Sequence, residues 1–384
     1  VIAQSYTNWE LCIADRSQSD CVKNIVMEMV GKYAEQIGSN RIKYRKLFKN
    51  YGISENTNRA LEMATGDYVG LLDHDDILAP NALFEVMKAL QTGISREGNL
   101  PTNTINALYS DEDKVNGSKD KYFDYHKKPD FNLDLLRSNN YICHFFVVKT
   151  EIAEKIGGFR TEFNGAQDHD FIMRCVEKAC FKGIYHIPKV LYHWRAHEES
   201  TADNPESKLY AYDAGKRAIE AHLLRMGTSA EVLYTQHLGF FRIRYQTNKA
   251  SVTVISKEAW EGMDAQDLEM IPDDYIMIMN ENIKPLTRNW QSELVGHLAR
   301  EEVGAVGGKI YDRQNKIESA GYSRNEDGKL VANYKGMNRH FSGYMHRAML
   351  QQEVDGLPLD CMMIKKSALI RGSKLTMSKD YLVV

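Results

Sequence analysis

The chain has 384 residues, 43% of them hydrophobic, a net charge of −3 and six cysteines. That length accommodates two domains with ordinary cores, and the slightly acidic balance excludes the basic footprint of a nucleic-acid binder. Without an uninterrupted apolar run of about eighteen residues no transmembrane helix is expected; no signal peptide is evident, and cysteines lacking paired zinc spacing point to reduced, mostly buried thiols in a cytosolic protein.

In chain order, the first element is the apolar run Trp9–Asp15, a strand ending in an acid, followed by the polar turn Arg16–Asp20. Residues 50–66 carry the signals of a short helix: Ser54 as N-cap, one face made by Ile53, Thr57, Ala60, Leu61 and Ala64, and Gly66 as the stop. The stretch Asp67–Asp76 is a second apolar run that ends in Asp73, Asp75 and Asp76, and a helix pattern follows (Pro80, Leu83, Val86, Met87, Leu90). Two strand-then-acid elements separated by helices indicate successive βαβ units of a largely parallel sheet. Acids then gather along its carboxyl edge, where open α/β sheets bind ligands. Hard cations such as Mg²⁺ or Mn²⁺ prefer oxygen ligands and are held by one or two carboxylates plus substrate phosphates, so Asp73 and Asp75 suit a metal that grips a diphosphate. The plainer reading is a solvated turn in which Asp76 caps the next helix.

Further on, Asp111–Asp113 after the run Ala107–Ser110 is another acid cluster at a strand end, lining a pocket or forming a solvated hairpin turn. Residues 165–174 begin a helix whose apolar positions are Phe171, Ile172 and Cys175; Asp168 and Asp170 in its first turn favour the macrodipole. Residues 206–227 read as an amphipathic helix ending at Gly227 that completes the first domain.

The segments QSYTNWELCIAD, NYGISENTNRALEMATGDYVGLLDHDD, ALYSDEDK, GGFRTEFNGAQDHDFIMR and YHWRAHEESTA resemble, in order and spacing, family 2 glycosyltransferases of the GT-A fold. The likeness is nearest to bacterial enzymes that build O-antigen, capsule or cell-wall polysaccharide, and it covers residues 1–235. It implies a Rossmann-like α/β domain with a mostly parallel central sheet. It also implies a nucleotide-sugar donor (UDP- or dTDP-linked), a divalent cation (Mn²⁺ or Mg²⁺), and inversion at the anomeric carbon during hexosyl or deoxyhexosyl transfer. The acceptor implied is a glycan, a lipid-linked glycan or a glycoprotein, met in the cytoplasm or peripherally at the inner face of the membrane. A non-catalytic carbohydrate- or partner-binding scaffold is the alternative, since fold does not fix function.

Position by position, the resemblance makes Asp75 the main metal ligand, with Asp73 beside it at the ribose or metal. His193 matches a position where some relatives add a histidine ligand; otherwise it is a core or gate histidine. Asp168 falls at the catalytic base, and a carboxylate suits late proton transfer to an oxocarbenium-like transition state. Asp15 is the nucleoside-side acid, although the usual Asp-Asp-Gly-Ser reads Asp15-Arg-Ser-Gln here. Asn58 is carried over as a donor contact. Residues 128–144 resemble the acceptor-side segment, Trp194 stacks on acceptor or donor, and His197–Thr201 is the mobile piece that follows. The family's opening strand precedes Val1, so the chain reads as a fragment.

Residues 236–384 resemble a second, partial GT-A-like domain, with strands at 250–256, 274–279, 302–311 and 360–366. Its acidic motif has become Asn280-Glu281-Asn282, and neutral amides neutralise a cation poorly. It is expected to be non-catalytic; dimerisation, acceptor docking and covering apolar surface are its open roles.

Overall fold

The structure is a computed structural model that describes residues 1–384 except 39, 93, 96, 97, 100–104, 197–208, 249, 326, 371–375, 378–380 and 384. The expected mobile piece His197–Thr201 and the first residues of the helix expected from 206 lie outside the described residues. The chain divides into two compact units. The first comprises Val1–Asn132, Asn139–His222 and Gln236–Gly239; the second comprises Leu133–Ser138, Leu223–Thr235 and Phe240–Val384. The sequence suggested a single crossing at 235/236, whereas the chain first enters the second unit at Leu133–Ser138.

The first unit opens with a parallel pair, β1 (Leu11–Asp15) and β2 (Ile42–Lys46), linked by helix α1 (Cys21–Lys32) and aligned from Leu11↔Ile42 to Asp15↔Lys46. Helix α2 (Ile53–Leu61) follows. Ser54 does not cap it: its hydroxyl meets Asn164 Oδ1 at 2.6 Å, and the N-cap position falls to Gly52 at φ 90°. The main sheet contains β3 (Tyr68–Gly70), β4 (Ile77–Leu78), β5 (Ala107–Val115), β6 (Tyr122–His126), β7 (Phe146–Lys149) and β8 (Ile184–Arg195). Its order is β3-β7-β5-β8-β4, with β6 on β5.

The α/β class with a central sheet is what the sequence leads to, but the strand directions are mixed. Only β5 and β8 run parallel in this sheet among the described pairs, and the other neighbours are antiparallel. Parallel neighbours need a long crossover, while antiparallel ones do not. The long connection from residue 115 to 184 supplies the crossover for β5–β8.

Two helices close the core. Helix α3 (Ala82–Thr92) buries Ala82, Val86, Ala89 and Leu90, the i, i+4, i+7, i+8 stripe of an amphipathic helix, in one cluster with Leu108, Val147, Leu191 and Tyr192. Helix α4 (Gln167–Ala179) buries Phe171, Ile172, Cys175 and Val176; each large side chain so buried stabilises by about 1.5–3 kcal/mol. Phe171 stacks on Phe159 at 4.2 Å between ring centroids. Strand β8 carries Pro188, which cannot donate to a ladder. The register with β5 shifts between Ile187 and Val190 and again between Val190 and Tyr192, and such bulges re-aim the side chains beyond them.

In the second unit, β9 (Val252–Ser256) and β10 (Tyr275–Met279) pair in parallel; with β11 (Ala305–Gly307) and β12 (Cys361–Lys365) they form a sheet in the order β9-β10-β12-β11. The cysteines are all free, but only Cys175 is buried, and Cys21 and Cys180 are exposed.

Asp170, in the first turn of α4, is fully buried and bonded by Arg160 Nε at 3.1 Å and Arg174 Nε at 2.9 Å. Removing one partner of a buried pair strands the other charge and costs about 3–5 kcal/mol. Asp170→Asn is therefore expected to lower unfolding stability by that order, read from the shift of the urea midpoint against the unsubstituted chain.

Candidate active site

The apolar run of β3 delivers Leu71–Asp76 to the sheet edge. Because β3 pairs antiparallel with β7 (Tyr68↔Lys149, Gly70↔Val147), and Leu71 N–H donates to the Phe146 carbonyl, the residues just before β7 lie beside those just after β3. That brings His144 to Asp73, with Nε2 3.7 Å from Asp73 Oδ2. Asp73, Asp76 and His144 each offer a ligand atom within 4.8 Å of the others, and among the described residues they are the only such group of three His, Cys, Asp or Glu side chains.

Tyr192 of β8 touches all three. Its hydroxyl donates to Asp76 Oδ2 at 2.5 Å and accepts from the Asp73 N–H at 3.2 Å, while its ring stacks on the His144 imidazole at 4.6 Å and 7°. The Arg195 N–H donates to Asp76 Oδ1 at 2.8 Å, so Asp76 serves the site and caps no helix. Burial raises the Asp76 carboxyl above its usual range despite those two donors. Asp73, with the His144 imidazole facing it, is lowered against partial burial. Burial works against a charged ring at His144, but Cys143, Glu112 and Asp73 outweigh it and raise the imidazole well above its usual range.

The other expected residues fall as follows. Asp168 in the first turn of α4 accepts from Asn140 Nδ2 at 3.0 Å, and the Cys143 thiol lies 3.9 Å from the same oxygen and 3.6 Å from His144 Nε2. Asp168 is thus joined to the Asp73 group through Asn140–His144. Asp75 and His193 lie outside the three-residue group. The Asp75 carbonyl accepts from Arg195 Nε, and His193 Nδ1 bonds Asp113 Oδ1 at 2.6 Å with Tyr122 against its ring. The histidine beside Asp73 and Asp76 is His144, while His193 meets Asp113. Asn58 clamps the chain: Oδ1 accepts from the Phe159 N–H at 2.7 Å and Nδ2 donates to the Phe159 carbonyl at 2.9 Å. Gly158, at φ 67°, packs against it so closely that a Cβ would collide with Oδ1. Asp111–Asp113 is neither a strand end nor a turn but the interior of β5, with Asp111 fully buried on His186.

Residues 1–157 match the family described as Glycosyl transferase family 2. This segment belongs to that family. The family 2 match ends before Asp168 and His193, yet similarity to curated proteins runs further. The uncharacterized protein y4gI of Sinorhizobium fredii is 30% identical over 95% of this chain and 45% of its own length. The O-antigen biosynthesis protein RfbC of Myxococcus xanthus is 28% identical over 84% of this chain and 28% of its own. The chain thus spans less than half the length of these relatives. TarS 1–349 of S. aureus, solved in complex with UDP-GlcNAc, overlaps 58% of this chain and 60% of its own at 18% identity and a TM-score of 0.41.

Asp15 closes β1 of this family 2 segment. It is buried, and it accepts from Tyr44 Oη at 2.7 Å, the Ser17 N–H at 2.7 Å and Lys46 Nζ at 3.0 Å. Burial opposes its charge, but these donors win and lower its pKa from the usual 3.8. A carboxylate with a depressed folded-state pKa contributes stability above its unfolded value and loses it as pH falls through the folded one. The difference in urea midpoint between the unsubstituted chain and Asp15→Asn is expected to be full above about pH 4 and to shrink below it; a difference constant from pH 7 to pH 2 contradicts this assignment.

Proposed function

We propose that the first unit is a metal-dependent, inverting glycosyltransferase that moves a sugar from a nucleotide-sugar donor to a glycan or glycoconjugate acceptor in bacterial surface polysaccharide or glycoprotein assembly. The observation that carries the reading is the convergence of Asp73, Asp76 and His144 at one sheet edge, joined to Asp168 through Asn140–His144. Two carboxylates suit Mn²⁺ or Mg²⁺, and the imidazole beside them favours Mn²⁺, the softer of the two. The donor set therefore fits the cation, with Asp73, Asp76 and His144 as holders in place of the expected Asp75 and His193. When bound, the cation would neutralise charge on a departing diphosphate.

The chain's own residues do the rest. Asn140 fixes one oxygen of Asp168 and leaves Oδ1 without a hydrogen bond among the described residues, turned to the role of base. In a single displacement the acceptor hydroxyl attacks the anomeric carbon, its proton passes to Asp168, and the bond to the donor's phosphate breaks on the opposite face. Tyr192 and the Arg195 N–H hold the Asp76 carboxylate in place. At the nucleoside end, Asp15 orders the Ser17–Ser19 turn and holds Lys46, whose ammonium also bonds Ser17 Oγ at 3.1 Å and the Ser19 carbonyl at 2.6 Å.

We read the second unit as non-catalytic. Its strand-end residue Asn280 donates to Asp360 at 3.1 Å and receives the Asn282 N–H at 2.9 Å, and Lys257 Nζ stands 3.3 Å from the same Asp360. Among the described residues no helix is long and apolar enough to cross a membrane.

Asp168→Asn is expected to lower sugar transfer by about 10²–10⁴-fold, the usual worth of a general base, with donor binding retained. Asp73→Ala is expected to abolish Mn²⁺-dependent binding of UDP in isothermal titration and His144→Ala to weaken it measurably, while a chelator abolishes it in the unsubstituted chain. UDP binding that ignores Mn²⁺, together with full transfer by Asp168→Asn, favours the scaffold alternative.

A further inference from the structure

Glu112 is an acid that neither the metal group nor the base assignment uses. It lies at the centre of β5, 7% exposed, where side-chain alternation turns it away from Asp111 and Asp113. On its side it meets three nitrogen-bearing groups: His144 Nδ1 at 3.1 Å, Lys128 Nζ at 3.2 Å and His126 Nδ1 at 3.3 Å. Lys128 is itself fully buried at its side chain. Beyond Glu112, its ammonium donates to the Ile142 carbonyl at 2.6 Å and to the His144 carbonyl. One carboxylate and one ammonium therefore grip both the ring and the backbone of the histidine whose other nitrogen faces Asp73. Ligating histidines characteristically donate their second ring N–H to a carboxylate, which fixes the tautomer and orients the ring; removing that partner typically costs 10–100-fold in metal affinity.

We propose that Glu112, braced by Lys128, is the positioning residue for His144. It accepts a hydrogen bond from the Nδ1–H, holding the proton on that nitrogen, and so leaves the Nε2 lone pair directed at the cation shared with Asp73 and Asp76. This rests on the metal reading above and adds a part to it: the site's strength is set from inside the sheet, by a strand that supplies no ligand.

Mn²⁺ titration followed by the electron paramagnetic resonance signal of the free ion tests this without reference to turnover. Glu112→Gln is expected to weaken Mn²⁺ binding about 10–100-fold. In a His144→Ala background the same substitution is expected to cost nothing further, because a residue acting through His144 loses its effect once the imidazole is gone. A purely structural role lowers affinity by the same factor in both backgrounds. Since Glu112→Gln leaves the Lys128 ammonium buried without its carboxylate, Glu112→Gln/Lys128→Met, which removes both charges, is titrated alongside and is expected to show the same loss. Ring ¹⁵N shifts of His144 in the Mg²⁺-loaded chain are expected to place the proton on Nδ1. Undiminished binding by Glu112→Gln, equal losses in the two backgrounds, or a proton on Nε2 overturns the inference while Asp73→Ala still abolishes binding. Absence of Mn²⁺ binding by the unsubstituted chain, or binding indifferent to Asp73→Ala, overturns the metal reading itself.

Discussion

A carboxylate taken out of water into a protein interior carries a penalty of several kcal/mol unless cations and donors surround it. Glu112 sits under that constraint at the middle of the longest central strand but one, and much of the site's internal geometry follows from it. His126 closes β6, Lys128 follows it and His144 precedes β7, and each has the same reason to be there: it meets a buried charge. The Glu112 carboxyl stays ionised, because Lys128 and His144 outweigh the burial that opposes it. The result is a block in which the Ile142 and His144 carbonyls are both held by one ammonium. Preorganisation of this kind is what the proposed transfer would require, since charge stabilisation is worth most when nothing must reorient at the moment of reaction.

Around that block, sheet geometry does the assembling. The antiparallel pairing of β3 with β7 sets the turn carrying the acids beside the residues that precede β7. The bulged strand β8, displaced at Pro188, then presents Tyr192 where its ring covers His144 and its hydroxyl reaches Asp76. Tyr192 is completely buried, and a buried tyrosine hydroxyl needs a hydrogen-bond partner; the Asp76 carboxylate and the Asp73 N–H satisfy it together. Packing, stacking and hydrogen bonding at one residue thus bind three chain segments that are far apart in sequence.

Much of this was legible in the linear sequence, and the illegible part has a common cause. The strand-to-acid edge at Asp73–Asp76 and the acid-bearing start of α4 show in local pattern, because a hydrophobic run and an amphipathic helix are local facts. Asn58 and His193 were readable as polar residues near the right motifs, but their partners, Phe159 and Asp113, come from other segments, so local pattern could not say that the chain itself employs them. His144 was hidden for the same reason. It stands in a segment of mixed aromatic, amide and apolar residues, and its proximity to Asp73 depends on which strands pair and in what register. Likewise the run Asp111–Asp113 looks like a polar turn, since three successive acids are rare inside a buried strand; only His186, His193 and the Lys128 group, all non-local, make that position tolerable. A signal was available in one place. Lys128 and Glu112 are opposite charges flanking a short hairpin, the arrangement expected of a cross-strand pair.

The two strand ends, Asp73–Asp76 in one unit and Asn280–Asn282 in the other, differ in how their charge is balanced, and that difference is what the metal proposal turns on. In the first, two carboxylates converge with a histidine, and no lysine or arginine ammonium is bonded to either carboxylate among the described contacts other than through the Arg195 backbone. In the second, the Asn282 amide donates to Asn280 Oδ1, the Asn280 amide donates to Asp360, and Lys257 brings a positive charge to that same acid. A divalent ion entering beside Asp360 would find its carboxylate already paired and would meet the Lys257 ammonium, whose repulsion runs against it. Amides in place of acids at this strand end leave the Asp360 carboxylate to be balanced by Lys257, a pairing within the chain itself.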